Sequence, residues 1–147
     1  MNDAIFSQID FGPIKEFLED DNVTDIEYNN GGQIYIKTLD KGVYRVGRPE
    51  INNALIEKLA FQCSHVMGKS FNMAHPFLDA ESAELRLNFI HDSIATNGIA
   101  VTIRKTPAKI RLNKDKLLNE KYVTENLLDF LITCVKGHCN IIVSGET

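Results

Sequence analysis

Cysteine is scarce in this 147-residue chain, and the few present do not form a set. Cys63, Cys134 and Cys139 are odd in number and lack metal-type spacing, with Cys134 and Cys139 lying five apart. This argues against a disulfide framework, fits a reducing compartment, and leaves the thiols as small apolar packing residues. Long apolar runs are also missing. The longest lies within Leu127 to Val135, too short to span a bilayer. No basic patch precedes an apolar one in Met1 to Ile5, so no secretory signal is visible and a cytoplasmic protein is expected. There are no internal repeats and no low-complexity tracts.

Hydrophobic residues make up 44% and charged residues 24%, an ordinary soluble composition. The length suits one domain, or one domain and a fragment of a second, and suffices to bury a core. The net charge of −4 is unevenly spread. Asp3, Asp10, Glu16, Glu19, Asp20, Asp21, Asp25 and Glu27 face only Lys15 in the first thirty residues. Arg104, Lys105, Lys109, Arg111, Lys114, Lys116 and Lys121 outnumber Asp115 and Glu120 further on. These stretches read as solvated faces, as an anion site, or as opposite patches that meet head to tail between subunits. The weak overall basicity argues against direct nucleic-acid binding.

Pro13 opens a short helix with Ile14, Phe17 and Leu18 on one stripe, ending near Asp21-Asn22. Val23 to Asn29, Gln33 to Leu39 and Val43 to Val46 read as an antiparallel meander turned at Asn29-Asn30-Gly31-Gly32 and Asp40-Lys41-Gly42. Pro49 is expected to open a helix to about Met67, with Ile51, Leu55, Ile56, Leu59, Ala60, Cys63 and Val66 on its apolar face and Gly68 as the stop. His65 on this helix has no metal-ligand partner at suitable spacing and reads as a half-buried or surface residue. Phe77 to Ala80, Ala83 to Ile90 and Ile99 to Lys105 read as strands, with Leu85, Leu87, Phe89, Ile99, Val101 and Ile103 inward. Pro107 to Asn119 reads as a basic linker holding a short helix at Lys114 to Leu118. Thr124 caps a helix from Glu125 to Lys136, stapled by Val123 and Leu128 and stopped by Gly137. Asn140 to Val143 then reads as a buried parallel strand, a unit that a lone helix cannot complete.

Two features carry chemistry. Gly145 follows the final strand where the first glycine of a phosphate loop would stand, a place where backbone N–H groups approach a phosphate without a Cβ between them. Arg86 and Arg104 lie on the outward face of alternating strands. If those strands are neighbours, the two guanidiniums share a face. Like charges there are destabilising unless an anion lies between them, and arginine's planar fork matches phosphate oxygens.

In order and spacing the chain resembles the N-terminal part of the bacterial type II and type IV secretion ATPases. These P-loop hexamers also drive pilus assembly and conjugative transfer. The resemblance rests on Asp21 to Asn29 as the opening strand and turn, Gln33 to Ile36 as its return, and Pro76-Phe77-Leu78-Asp79-Ala80 as the Pro-x-x-Asp-Ala element. Arg86 follows that element, Val101-Thr102-Ile103-Arg104-Lys105 matches Thr-Ile-Arg-Lys, and Asn140 to Thr147 matches the strand and opening of the Walker A loop.

The resemblance implies an α+β fold. A PAS-like N-terminal domain at 1–106 has an antiparallel sheet and packed helices. A linker follows at 107–122, and the start of an α/β P-loop domain, cut inside Walker A, at 123–147. It implies ATP and Mg2+ bound by the complete enzyme, with Arg86, Arg104, Ser144, Gly145, Glu146 and Thr147 on the nucleotide. Arg86 and Arg104 are the phosphate-side arginines, and Lys105 is a weaker candidate because its alternation points the other way. No residue of the chain is expected to bind metal directly, and the 147 residues alone are expected to be inactive. A hexameric ring of copies would work beside inner-membrane secretion or pilus components, at the cytoplasmic face of that membrane. Opening directly with this domain favours type IV secretion and conjugation.

Glu81 stands where the family often has arginine, and His91-Asp92-Ser93 replaces a loop that often carries prolines. His91 and Asp92 read either as an adjacent acid/base pair or as a loop turn whose solvent-exposed histidine points away from Asp92, the reading that strand-end alternation favours. Asp79 reads either as a charge partner of Arg86 or Arg104 or as a turn carboxylate. Two other classes stand beside the ATPase: a non-enzymatic PAS-like sensor of a small molecule, and a pure oligomerisation or docking module. Apolar inward positions favour a filled core over a sensor pocket.

Overall fold

The computed structural model describes residues 6–106 and 113–145. The chain divides into two compact units, Met1–Ala108 and Lys109–Thr147.

The first unit is an α+β fold with one antiparallel sheet. Its strands are β1 (Val23–Asn29), β2 (Gln33–Thr38), β3 (Gly42–Val46), β4 (Phe77–Glu81), β5 (Leu85–Ile90) and β6 (Ala100–Lys105). They lie side by side in the order β3-β2-β1-β6-β5-β4. Two three-stranded meanders are thus joined along β1 and β6, with Ile26 opposite Ile103 and Tyr28 opposite Val101.

Alternation decides which residues enter the core. Leu85, Leu87, Phe89, Ile99, Val101 and Ile103 are all buried, as their spacing predicts. Strand β1 breaks strict alternation, since Val23, Ile26 and Tyr28 are all buried. The β1–β2 register shifts between Val23 and Asp25, so a bulge at Thr24 lets both Val23 and Ile26 reach the core.

Among the described residues, two α-helices belong to this unit. A 3-10 turn at Gly12–Ile14 leads into α1 (Lys15–Glu19), and α2 spans Asn53–Met67. Helix α2 starts four residues after Pro49. Asn52 is the reason: its backbone is extended and its side chain accepts a hydrogen bond from the Leu55 N–H, making it the N-cap. Pro49 lies in the preceding turn, closed by the Ile51 N–H on the Arg48 carbonyl. Ile56, Leu59, Ala60 and Cys63 form the buried stripe of α2, in one cluster with the inward residues of the sheet. Burial pushes the Cys63 thiol up to about 12, so it packs as a neutral group. Cys139 is exposed, unlike the packing residue expected of it. His65 is exposed as well.

In the second unit, α3 (Lys114–Asn119) and α4 (Glu125–Lys136) are capped by Asn113 and Thr124, whose side chains accept from Lys116 N–H and Leu127 N–H. Asn140 to Val143 departs from expectation. These residues form no strand, and Ile142 and Val143 are 93% and 92% exposed. A β-branched run supplies the propensity for extended backbone, but a strand also needs a neighbour to accept its hydrogen bonds.

The turn before β6 is held by a close approach. Asn53 accepts from the Tyr28 hydroxyl at 2.7 Å and donates to the Asn97 carbonyl at 3.2 Å, tying helix, sheet and turn together. Gly98 has φ +118, and a Cβ there would lie 2.5–2.7 Å from the Asn53 amide. Gly98→Ala should therefore destabilise the first unit by about 1 kcal/mol or more. A lowered urea midpoint at unchanged slope is the expected readout.

Candidate functional site

The outward face of the sheet carries a row of charges set by register. Glu81 stands opposite Arg86, Arg86 opposite Arg104, Arg104 opposite Asp25, and Asp25 opposite Lys37. Strands β5 and β6 are neighbours, so the two arginines share a face as required and stand directly across from one another.

Each arginine has an acidic neighbour on its other side. The Nε of Arg104 donates to Asp25 Oδ1 at 2.7 Å, and the Nε of Arg86 lies 2.8 Å from Glu81 Oε1. Both arginine side chains are 68% exposed. Among the described residues neither uses its terminal nitrogens in a hydrogen bond, which leaves two guanidinium ends open beside each other. They border a shallow depression of about 580 Å³ with Asp79, Glu81, Asn88 and Thr102.

The acid on Arg104 differs from the acid on Arg86. Glu81 is 60% exposed on its side chain, whereas Asp25 is only 11% exposed. The Thr24 hydroxyl donates to the second oxygen of Asp25 at 2.8 Å, an approach made at the bulge. Burial alone would push the Asp25 carboxyl up, but hydrogen bonds from Arg104 and Thr24 and attraction to Arg104 and Lys37 outweigh it, so its pKa is lowered. The same ion pair holds the Arg104 guanidinium further into its charged range.

Two sequence expectations change here, those for Asp79 and His91. Asp79 is not the charge partner of either arginine; its Oδ1 accepts from the Asn88 side chain at 2.7 Å, because Asn88 is the residue directly opposite. Glu81 stands opposite Arg86 and takes that role. Lys105 turns away from the arginines, as its alternation predicts, and its ammonium donates to the Phe17 and Asp20 carbonyls at the end of α1. His91 does not point away from Asp92. Its Nδ1 lies 2.8 Å from Asp92 Oδ1 and 3.0 Å from Ser93 Oγ, and its ring packs edge-on to Phe71. The chain turns after β5, and strand alternation no longer separates neighbouring side chains there.

The acidic and basic stretches meet at Asp25 and Arg104, and other acidic residues pair with cations elsewhere in the same unit. Besides Asp25 with Arg104, Asp10 pairs with Lys58 at 2.7 Å, Glu16 with Arg48, and Glu19 with Lys15 at 3.6 Å. Lys109 and Arg111 lie outside the described residues, as do Glu146 and Thr147. Ser144 and Gly145 are exposed, and a Cβ at Gly145 would meet nothing within 4 Å. Among the described residues no group of three or more His, Cys, Asp or Glu side chains could hold a metal ion.

With this geometry in view, the fold can be compared with known proteins. It is similar to that of a VirB11 ATPase. The solved structure is the VirB11 ATPase from the Brucella suis type IV secretion system in complex with sulphate, with a TM-score of 0.66 at 16% identity over 86% of this chain. The chain spans 42% of the length of that protein. No family model matches the chain, and no curated protein matches it.

The lowered pKa of Asp25 has a defined consequence for stability. Its contribution is complete above the ordinary carboxylate value of 3.8 and is lost as pH falls below that through the lower folded value. The wild-type chain should unfold at higher denaturant than Asp25→Asn at neutral pH, and the two midpoints should converge as the solution is acidified toward pH ~2.

Proposed function

We propose that this chain is the N-terminal part of a hexameric P-loop ATPase of the type II/type IV secretion group, serving type IV secretion or conjugative transfer. The observation that carries the reading is the Arg86–Arg104 pair, set directly opposite on an open face with both terminal forks unengaged. Similarity of fold to a VirB11 ATPase supports it.

In this reading, residues 1–106 are a PAS-like domain, 107–122 a linker and 123–147 the beginning of the ATPase domain. The complete enzyme binds ATP with Mg2+. Ser144, Gly145, Glu146 and Thr147 open the phosphate loop, whose N–H groups would hold the phosphates. Arg86 and Arg104 also hold the phosphate chain. Their charge stabilises the negative charge that spreads over the transferred phosphoryl oxygens, without proton transfer. Copies of the chain assemble as a ring at the cytoplasmic face of the inner membrane, beside the secretion or pilus apparatus, and hydrolysis moves the substrate.

The two non-enzymatic alternatives draw less support. Apolar side chains occupy the inward positions of β5 and β6 that a sensor would line with polar groups. Opposite charges that could dock one subunit on the next are in part paired inside a single unit.

Two measurements test the reading. The 147 residues alone should show no magnesium-dependent ATP turnover. In the longer protein that carries the whole phosphate loop, Arg86→Ala and Arg104→Ala should each lower kcat by roughly 10- to 1,000-fold with folding intact. Rates equal to wild type in both variants would remove the proposed role.

A further inference from the structure

We infer that Asp25 is a positioning residue: it fixes Arg104 so that the terminal fork of that arginine, together with that of Arg86, forms one cradle for the phosphate chain of a nucleotide. The inference rests on the reading of Arg86 and Arg104 as phosphate-side arginines, and adds a residue that reading does not contain.

Three observations carry it. First, Asp25 is one of only two buried polar or charged residues among those described, although it lies on the outward face of a strand. A carboxylate taken from water is costly unless it is well bonded, and here each of its oxygens has a partner. Arg104 Nε serves Oδ1 and the Thr24 hydroxyl serves Oδ2. Second, the bond to Arg104 uses Nε, the inner edge of the guanidinium, and leaves the outer edge open. A carboxylate serving only to neutralise Arg104 could sit anywhere around the fork. Third, the anchor is not repeated at Arg86. Its partner Glu81 is 60% exposed on its side chain, and no second bond fixes it among the described residues. The acid on Arg104 is thus itself held in place, and the acid on Arg86 is exposed to solvent.

An exposed arginine has many rotamers, and ordering them on binding has an entropic cost. Asp25 and Thr24 meet part of that cost during folding. Asp25 therefore acts in two opposed ways on an approaching anion. Its negative charge repels the anion, while its geometry prepares the fork. The second effect dominates if the residue is positioning, because repulsion from a charge already neutralised by Arg104 is weak and screened by solvent.

This opposition makes a test by sign. Tripolyphosphate can stand in for the phosphate chain of the nucleotide. It is titrated into the 147-residue chain at low ionic strength, with the arginine Nε–H signals followed by NMR. In the wild-type protein the Arg86 and Arg104 signals should both move. Asp25→Asn should bind about 5-fold more weakly although it removes a negative charge, and its Arg104 signal should be displaced before any anion is added. Thr24→Val, which keeps the charge and loosens the carboxylate, should weaken binding in the same direction and serves where Asp25→Asn fails to fold. Tighter or unchanged binding by a folded Asp25→Asn overturns the positioning role and leaves the arginine cradle standing. Where Asp25→Asn does not fold, unchanged binding by Thr24→Val overturns it. No movement of either arginine signal in the wild-type protein overturns the cradle, and the inference with it.

Discussion

The pairing of β1 with β6 is the constraint on which the rest of the first unit depends. It joins residues 79 apart in sequence, from Asp25 to Arg104, and each strand of the pair belongs to a different meander. Closing such a loop costs about 4 kcal/mol in chain entropy before any contact is made. The inner face offsets that cost, because Ile26, Tyr28, Val101 and Ile103 are all buried in one cluster along the seam. The outer face inherits its register from the inner one. A slip by a single residue would expose the apolar set, so the charged row is held as firmly as the core.

That inherited register creates the electrostatic character of the outer face. Two arginines stand opposite each other, an arrangement that is destabilising unless something compensates. The acids opposite their other sides compensate in part, and they do so through Nε, so the charge is balanced while the outer forks stay open. Had the acids taken the terminal nitrogens instead, the same charge count would have left the outer forks engaged. The bulge at Thr24 matters for the same reason. It brings Val23 into the core and sets the Thr24 hydroxyl against Asp25 in one step. A local irregularity of the backbone thus serves both packing and the site.

Most departures from sequence-based expectation share one cause. The helix expected at Pro49 begins at Asn53 because a side chain beats a favourable first residue to the cap. Asn140 to Val143 reads as a strand by composition and has no ladder partner among the described residues. Asp79, read as a possible partner of the arginines, is turned to Asn88 by register, and Glu81 takes its place. The acidic N-terminal stretch and the basic stretch from Arg104, read as solvated faces, an anion site or contacts between subunits, are joined within one unit by the Asp25–Arg104 pair. Apart from the cap at Asn52, which is local, each depends on a neighbour in space, which spacing along the chain does not specify.

The sequence by itself determined what is local. Strand and helix identity apart from Asn140 to Val143, the inward apolar set, the cap at Thr124, the stop at Gly68 and the outward direction of Arg86 and Arg104 all follow from periods of two and 3.6 and from the conformational preferences of glycine, asparagine and threonine. Tertiary structure alone decided that β6 lies between β5 and β1. It therefore decided that Arg104 has Arg86 on one side and Asp25 on the other. Side-chain alternation says which face a residue takes, but only the pairing of strands far apart in the chain says which residue stands beside it.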